Sequence, residues 1–508
     1  MARPALLLTP WFRRVLALLA GAALPLAFAP YGWWWVAFLS PALLYGLLHR
    51  QSVRQALLLG ELYGFGLWAV GAFWLYTSIH TYGDTPAPLA LAMIGFVAAV
   101  MGLFTAASCA LQQRFSAGSP LGFAGWWVLA EWCKTWMFTG FPWLLAGYGL
   151  TGRWLDGYAP VGGVLLVSLV VVLCAALLVQ TVLQRNWRWS IPALALLGLG
   201  LLLAPIQWTT RKPTPPLSVS LIQGNIPQDL KWLTEYRQRT LEIYAGLSAT
   251  EWGRDLVVWP ESSIPVFQTD VPQFLEGMDR TARLFGSVWV TGIPWQSLDE
   301  YRAGQDDYPP FYNAIMARGA GGSGLYKKQR LVPFGEYIPL EGALKWVLPN
   351  LKRNMQVSSF SPGPATQPPL QVKGHRLAAA ICYEVAYPNL TRRNARDSDF
   401  LVTLSNDAWF GTSDGPLQHL QMVQMRSRET GRWFIRATNT GVTAFIDDRG
   451  RLVHQLVRFR PGVLRGELPA MTGVTPYMRW GDTLVLLLTG TLLLAGAWGT
   501  APIGRDLS

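Results

Sequence analysis

The chain has 508 residues, of which 51% are apolar, 14% are charged and 25 are tryptophan. A soluble globular domain carries about a quarter charged residues, so composition excludes a chain that is water-soluble throughout. The formal charge of +12 does not point to nucleic acid: no lysine-rich run exists, and many arginines sit in short loops between apolar segments.

The apolar excess is uneven. It fills the first 210 residues and the final stretch, and residues 211–475 read as an ordinary soluble domain. Crossing a bilayer takes about 20 mostly apolar helical residues. Segments 12–29, 31–48, 56–78, 89–111, 121–138, 161–184 and 189–208 fit, with a last one at 483–499. The expected organisation is a polytopic α-helical membrane bundle of about eight spans, divided as 1–210, 211–475 and 476–508.

Arginines in short loops set orientation. Arg3, Arg13, Arg14, Arg50, Arg54, Arg114, Arg185, Arg188 and Arg505 fall on one side, and only Arg153 falls on the other. Both termini are therefore expected in the cytoplasm, with the 211–475 domain opposite. Glu131 and Lys134, three apart on one helical face, are expected to pair. Tryptophans at span ends, Trp33–Trp35 and Trp126–Trp127, fit interfacial anchors. Cys109, Cys133 and Cys174 lie in apolar segments, and Cys382 is the lone thiol of the soluble domain.

After the stiff Pro213–Pro216 linker, short apolar runs predict strands at Ser218–Gln223, Asp255–Trp259, Val288–Ile293, Asn313–Ala317, Leu377–Cys382, Phe400–Leu404 and Thr443–Ile446. Helices are expected at 234–252 and 271–285. Such alternation suggests a layered α/β domain.

Four segments carry polar residues off the end of a strand, where α/β proteins place their chemistry. Val258-Trp259-Pro260-Glu261 leaves a carboxylate beyond a proline that stops the ladder. Tyr326-Lys327-Lys328 leads, through Leu331-Val332-Pro333-Phe334-Gly335, to Glu336. Ile381-Cys382-Tyr383-Glu384 presents a thiol, and a helix starting just after it would favour the thiolate. Leu404-Ser405-Asn406-Asp407 turns sharply. Taken singly, Glu261 reads better as an exposed loop glutamate, and the other three read equally well as a solvated loop, a buried thiol or a plain turn. Together they supply what thiol attack on an acyl carbon needs: a base, a cation facing the developing oxyanion, and a rigidly held nucleophile. His375, His419 and His454 sit in no motif that favours a Cys–His pair, and no zinc spacing, GxGxxG or P-loop pattern occurs.

In this order the segments resemble the nitrilase superfamily, whose members use a Glu–Lys–Cys set on an αββα sandwich. With the flanking apolar segments, the chain is similar to that superfamily's membrane-embedded apolipoprotein N-acyltransferase branch. The strings that carry the likeness are Gln223-Gly224-Asn225-Ile226-Pro227 with Lys231-Trp232, Trp259-Pro260-Glu261, Leu331–Glu336 and Cys382-Tyr383-Glu384. The resemblance implies Glu261 as general base, Lys328 as the lysine and Cys382 as nucleophile. Glu336, Trp232, Tyr383 and Glu384 match residues that support or shape the site. It implies no cofactor and no metal. The implied reaction is ping-pong. Cys382 takes an acyl chain from the sn-1 ester of a phospholipid, commonly phosphatidylethanolamine. The thioester then acylates the α-amine of a diacylglyceryl-cysteine at a lipoprotein N-terminus. The implied location is the inner membrane, with the catalytic domain periplasmic. Leu340–Phe360, with Trp346, Val347 and Leu348, is the expected lid. Two other readings share parts of the pattern: a membrane-tethered amidase that uses water as acceptor, and a lipid transporter whose extra domain is inert.

Overall fold

The computed structural model describes residues 9–301, 309–338 and 360–498. By internal contacts the chain divides into two units. One holds residues up to Trp208, Thr412–Thr430 and the chain from Val474 onward; the other holds Thr209–Gly411 and Gly431–Gly473. The soluble part read as continuous over 211–475 is thus interrupted, because the helix Gly415–Thr430 groups with the apolar helices.

The first unit is helical. Its leading helices are α1 (Pro10–Ala23), α2 (Val36–Leu47), α3 (Val53–Gly71), α4 (Ala87–Phe115), α5 (Pro120–Lys134), α6 (Ala159–Gln184) and α7 (Ser190–Leu203), and Thr483–Trp498 is a further one. Each segment expected to span contains a helix. Among the described residues, the helices long and apolar enough to cross a bilayer by length and composition are two: α4, and the run Trp154–Gln184 that contains α6. Prolines account for part of the shortening: α1 gives way to a 3-10 turn at Pro25, and α2 carries Pro41 inside it. Glycines let α3 and α4 touch backbone to backbone, since a Cβ on Gly64 would lie 2.6 Å from the Gly102 Cα. Many large apolar side chains face outward, among them Phe96, Leu103, Val182, Leu202 and Leu494. The expected Glu131–Lys134 ion pair does not form. Glu131 instead accepts hydrogen bonds from the Trp127 indole (2.9 Å) and the Ala146 N–H (2.8 Å), and Lys134 lies over the Trp68 ring. Folding brought backbone and indole donors to that carboxylate that helical spacing alone did not reveal.

The second unit contains β1 (Thr209–Arg211), β2 (Leu217–Gln223), β3 (Leu256–Val258), β4 (Val288–Gln296), β5 (Phe311–Gly319), β6 (Gly322–Ser323), β7 (Leu325–Lys327) and β8 (Leu370–Val372). It continues with β9 (His375–Ile381), β10 (Phe400–Ser405), β11 (Phe434–Thr438), β12 (Ala444–Ile446), β13 (Leu452–Gln455), β14 (Gly462–Leu468) and β15 (Met471–Gly473). One sheet has the order β14-β2-β3-β4-β5-β7 and the other β13-β12-β11-β10-β9-β8-β6, while β1 pairs with β15. In each sheet the centre is parallel: β2, β3 and β4 in one, and β9, β10 and β11 in the other.

Alternation along these strands builds the layers. Val219, Leu221, Leu256, Val258, Val288 and Val290 meet Leu377, Ala379, Ile381, Val402, Leu404 and Ile435 in one core between the sheets. The opposite face of the first sheet, Val257, Trp259 and Trp289, packs on Leu241, Tyr244 and Leu275 of helices Arg237–Ser248 and Pro272–Leu284. Helix Pro388–Ala395 packs against β9 of the second sheet. The unit is an αββα sandwich, and a strand sealed on both faces must be apolar until it ends. Its polar residues therefore collect at strand termini.

Candidate active site

Four strand ends meet at one place. β3 runs into Trp259-Pro260-Glu261, β7 into Lys328, β9 into Cys382, and β10 into Asn406-Asp407. Glu261 is 7% exposed and Lys328 1%. Lys328 Nζ lies 2.8 Å from Glu336 Oε1 and 3.6 Å from Glu261 Oε1. Asn313, the β5 residue that accepts the Lys328 main-chain N–H, donates its Nδ2 to Glu261 Oε1 (2.7 Å) and to Glu336 Oε1 (2.9 Å). The other Glu261 oxygen accepts the Asn406 N–H at 2.7 Å. The carboxylate is thereby fixed by one amide and one main-chain donor, with an ammonium beside it.

Burial opposes the charge of Lys328, yet Glu336 and Glu261 outweigh it and hold the ammonium well above the usual lysine range. It is a permanent cation. Cys382 shows the reverse. Burial pushes its thiol up, and the negative charge of Glu261 adds to this against the opposing pull of Lys328. The helix expected just after Cys382 to favour its thiolate does not start there. Cys382 opens only a short 3-10 turn, Cys382–Ala386, and the helix begins later at Pro388. Attack by this sulfur therefore needs a base to take its proton. Its φ of +49° puts it in the left-handed region at the strand end, a strained presentation of the kind found at functional sites.

Glu336 closes the Lys328 loop on itself, its second oxygen accepting the Val332 N–H at 2.8 Å. Phe334, at φ +61°, forms the turn that aims it. Glu384 is fully buried and accepts from the main-chain N–H groups of Ile381 (2.7 Å), Gln329 (2.6 Å) and Arg330 (3.1 Å), and from the Tyr326 hydroxyl. Burial raises it to about 7 against those donors. It ties the lysine loop to the cysteine turn. Tyr383 is buried edge-on to Tyr387 at 5.2 Å, and the Arg330 guanidinium lies 5.1 Å over Tyr387. Trp232 is 42% exposed, and Leu233, Phe334 and Trp409 stand out similarly on loops of the same unit. The expected lid lies outside the described residues, apart from Phe360.

The string Gln223-Gly224-Asn225-Ile226 has a local reason. A Cβ on Gly224 would lie 2.5 Å from the Tyr244 ring, and Asn225 takes a φ of +54°. The turn then locks onto Asn439, which accepts the Ile226 N–H (2.8 Å) and donates to the Ile226 carbonyl (2.8 Å). Asn439 also reaches Asn406 at 3.1 Å.

Residues 20–177 match the profile of the apolipoprotein N-acyltransferase N-terminal domain, and residues 218–477 match that of carbon-nitrogen hydrolase. Over 98% of its length the chain is 44% identical to the apolipoprotein N-acyltransferase of Pseudomonas aeruginosa, covering 97% of that protein. The chain belongs to the apolipoprotein N-acyltransferase family. Family proteins of that name from Azotobacter vinelandii (44% identical, 97% of each chain) and Vibrio cholerae (39% identical, 94% of this chain and 95% of that one) are similar to it. Among solved structures, an amidase of the nitrilase superfamily from Nesterenkonia is 18% identical with a TM-score of 0.37, covering 53% of this chain and 95% of that one.

In this family member, Asn406 stood out in the sequence only as part of a sharp strand-end turn, Asn313 and Asn439 were not marked as site residues, and no role was taken from Lys231. Asn313 carried a usable signal: an amide inside an otherwise apolar strand must find partners once buried. Arg436, buried in β11 and 2.5 Å from Asp407, was hidden in the same way.

Proposed function

We propose that this chain transfers an acyl chain from a membrane phospholipid to the α-amine of a diacylated lipoprotein N-terminus. Glu261 acts as base, Lys328 as oxyanion partner and Cys382 as nucleophile. The observation that carries the reading is the buried Glu261–Lys328 contact, 3.6 Å long, coupled to a thiol that burial keeps protonated. Glu261 takes the Sγ proton, and sulfur attacks the ester carbonyl. Lys328 faces the oxygen that gains charge. Collapse expels the lysophospholipid alcohol, which takes the proton back from Glu261, and leaves a thioester. The acceptor amine then attacks the thioester, Glu261 accepts its proton, and collapse to the amide returns that proton to the departing sulfur. Thioester and ester are close in energy and the amide lies below both, so neither metal nor nucleotide is needed.

The substrate class follows from surroundings. Large apolar side chains, Trp232, Leu233, Phe334 and Trp409, stand exposed on the segments that carry site residues, which suits a lipid better than a small polar amide. Outward-facing leucines and phenylalanines on the helical unit support a multi-pass protein. The arginine distribution favours cytoplasmic termini and a catalytic unit on the far side of the inner membrane, where phosphatidylethanolamine is a fitting donor. Water must be kept from the thioester for the acyl chain to reach the amine.

Intact mass spectrometry of the full chain, incubated with phosphatidylethanolamine in detergent, tests this. The expected result is a gain of one acyl chain, released by hydroxylamine and absent in Cys382→Ala. Hydrolysis of soluble amides without any acyl-protein would instead establish a tethered amidase. Full lipoprotein acylation by Cys382→Ala would overturn the assignment.

A further inference from the structure

A second lysine reaches the same site. Lys231 ends the short helix Gln228–Lys231 and is fully buried. Its Nζ donates to the main-chain carbonyl of Glu261 at 3.0 Å and lies 5.9 Å over the Trp232 ring. Among the described residues it has no carboxylate within ion-pair distance, so this ammonium is held in the interior by one carbonyl and one indole face. A buried ammonium without a carboxylate in contact is costly. What it faces is the site itself, for its charge is coupled to those of Glu261 and Cys382.

The charges around the sulfur show what it does. Cys382 is faced by Glu261, Lys328, Asp407 and Glu336, with Lys231 added from its own helix. Arg436 neutralises Asp407 at 2.5 Å. Lys328 is shared between two carboxylates, Glu336 and Glu261, which leaves one negative charge uncompensated. Moving a proton from Sγ to Glu261 shifts that negative charge from carboxylate to sulfur without removing it. Lys231 neighbours both ends of the shift, while Lys328 is bound to Glu336.

We propose that Lys231 is the second cation of this site, a positioning residue that pins the Glu261 main chain and offsets the negative charge shared by Glu261 and Cys382. The inference rests on the acyl-transfer reading for its consequence but not for its measurement. Burial draws Lys231 down to about 8, with Glu261 and Cys382 opposing, so the cation is present at neutral pH and fades in mildly alkaline solution.

The test uses the full-length protein in detergent and two readouts: the pH dependence of iodoacetamide alkylation at Cys382, followed by peptide mass spectrometry, and the rate of thioester formation from phosphatidylethanolamine. Lys231→Met is expected to move the half-maximal alkylation rate upward by about one pH unit and to slow thioester formation about tenfold at pH 7. Lys231→Arg restores the wild-type alkylation limb. A folded Lys231→Met with the wild-type limb overturns the proposal. Should Lys231→Met lower the melting temperature sharply, Lys231→Gln, which keeps a donor for the Glu261 carbonyl without the charge, takes its place. An unshifted limb there, or loss of folding in both, makes Lys231 a purely structural lysine and equally overturns it. Alkylation needs no lipid. A wild type that forms no thioester therefore condemns the acyl-transfer reading alone, and a normal Lys231→Met limb beside an active wild type condemns this inference alone.

Discussion

In the Asn313 side-chain amide, Nδ2 bridges Glu261 and Glu336, and Oδ1 finds no partner among the described residues. Two carboxylates share a single ammonium here, and the amide gives an oxygen of each a donor besides it. Asn313→Asp places a third negative charge against them in a buried setting, where like charges are strongly unfavourable. Single-turnover thioester formation is expected to fall by at least about 100-fold. Asn313→Ala leaves two carboxylate oxygens short of a donor, at about 1–3 kcal/mol apiece, and a fall of about 10- to 100-fold is expected. An Asp variant that reacts at the wild-type rate would remove the amide from the site's electrostatics. Glu384 gives a complementary case. With four donors converging on it, Glu384→Ala is expected to lower the melting temperature and abolish activity together, because the lysine loop loses its anchor beside the thiol. Calorimetry showing an unchanged transition would contradict that.

The elements place these side chains, and one glycine sets how closely two of them approach. β3 pairs with β4, and just beyond the paired residues Gly292 faces the turn at Pro260–Glu261. A Cβ on it would lie 2.7 Å from the Glu261 Cα and from the Pro260 carbonyl oxygen. Backbone, not a flexible side chain, would have to move. Gly292→Ala is therefore expected to cost about 1–3 kcal/mol and at least about tenfold in thioester formation. Gly277→Ala in helix Pro272–Leu284, where a Cβ meets open space, is expected to stabilise by about 0.4–1 kcal/mol with activity unchanged. Chemical denaturation of both variants checks the pair. At this scale the sequence was informative where strands are buried on both faces. Ser218–Gln223, Val288–Ile293 and Phe400–Leu404 show as apolar runs, and strands stand there. β11 escaped because Arg436 interrupts its apolar run, and nothing local reveals that Asp407 neutralises it. β14, an edge strand of mixed polarity that pairs with β2, looks like loop until its partner is known. That Glu261, Lys328 and Cys382 sit at strand ends was legible in the order of the motifs, while the amides on Glu261 act across strands and leave no spacing to read.

For the whole molecule the open question is what surrounds the helical unit. Apolar content alone located its helices, whose lengths run from 12 residues in α2 to 29 in α4. Exposure is the better guide. Leu103, near the middle of α4, is 57% exposed, and Phe96 on the same helix 70%. In water these would be surface leucine and phenylalanine of little consequence; in lipid they are the solvent-matched face. Leu103→Arg separates the two cases. In a bilayer the change costs about 3 kcal/mol at mid-helix, and the yield of membrane-integrated protein after carbonate extraction is expected to drop several-fold. Leu284→Arg, equally apolar and 78% exposed but in the catalytic unit, is expected to leave that yield unchanged. If both variants integrate equally well, α4 does not face lipid at Leu103, and the multi-pass arrangement loses its strongest physical support.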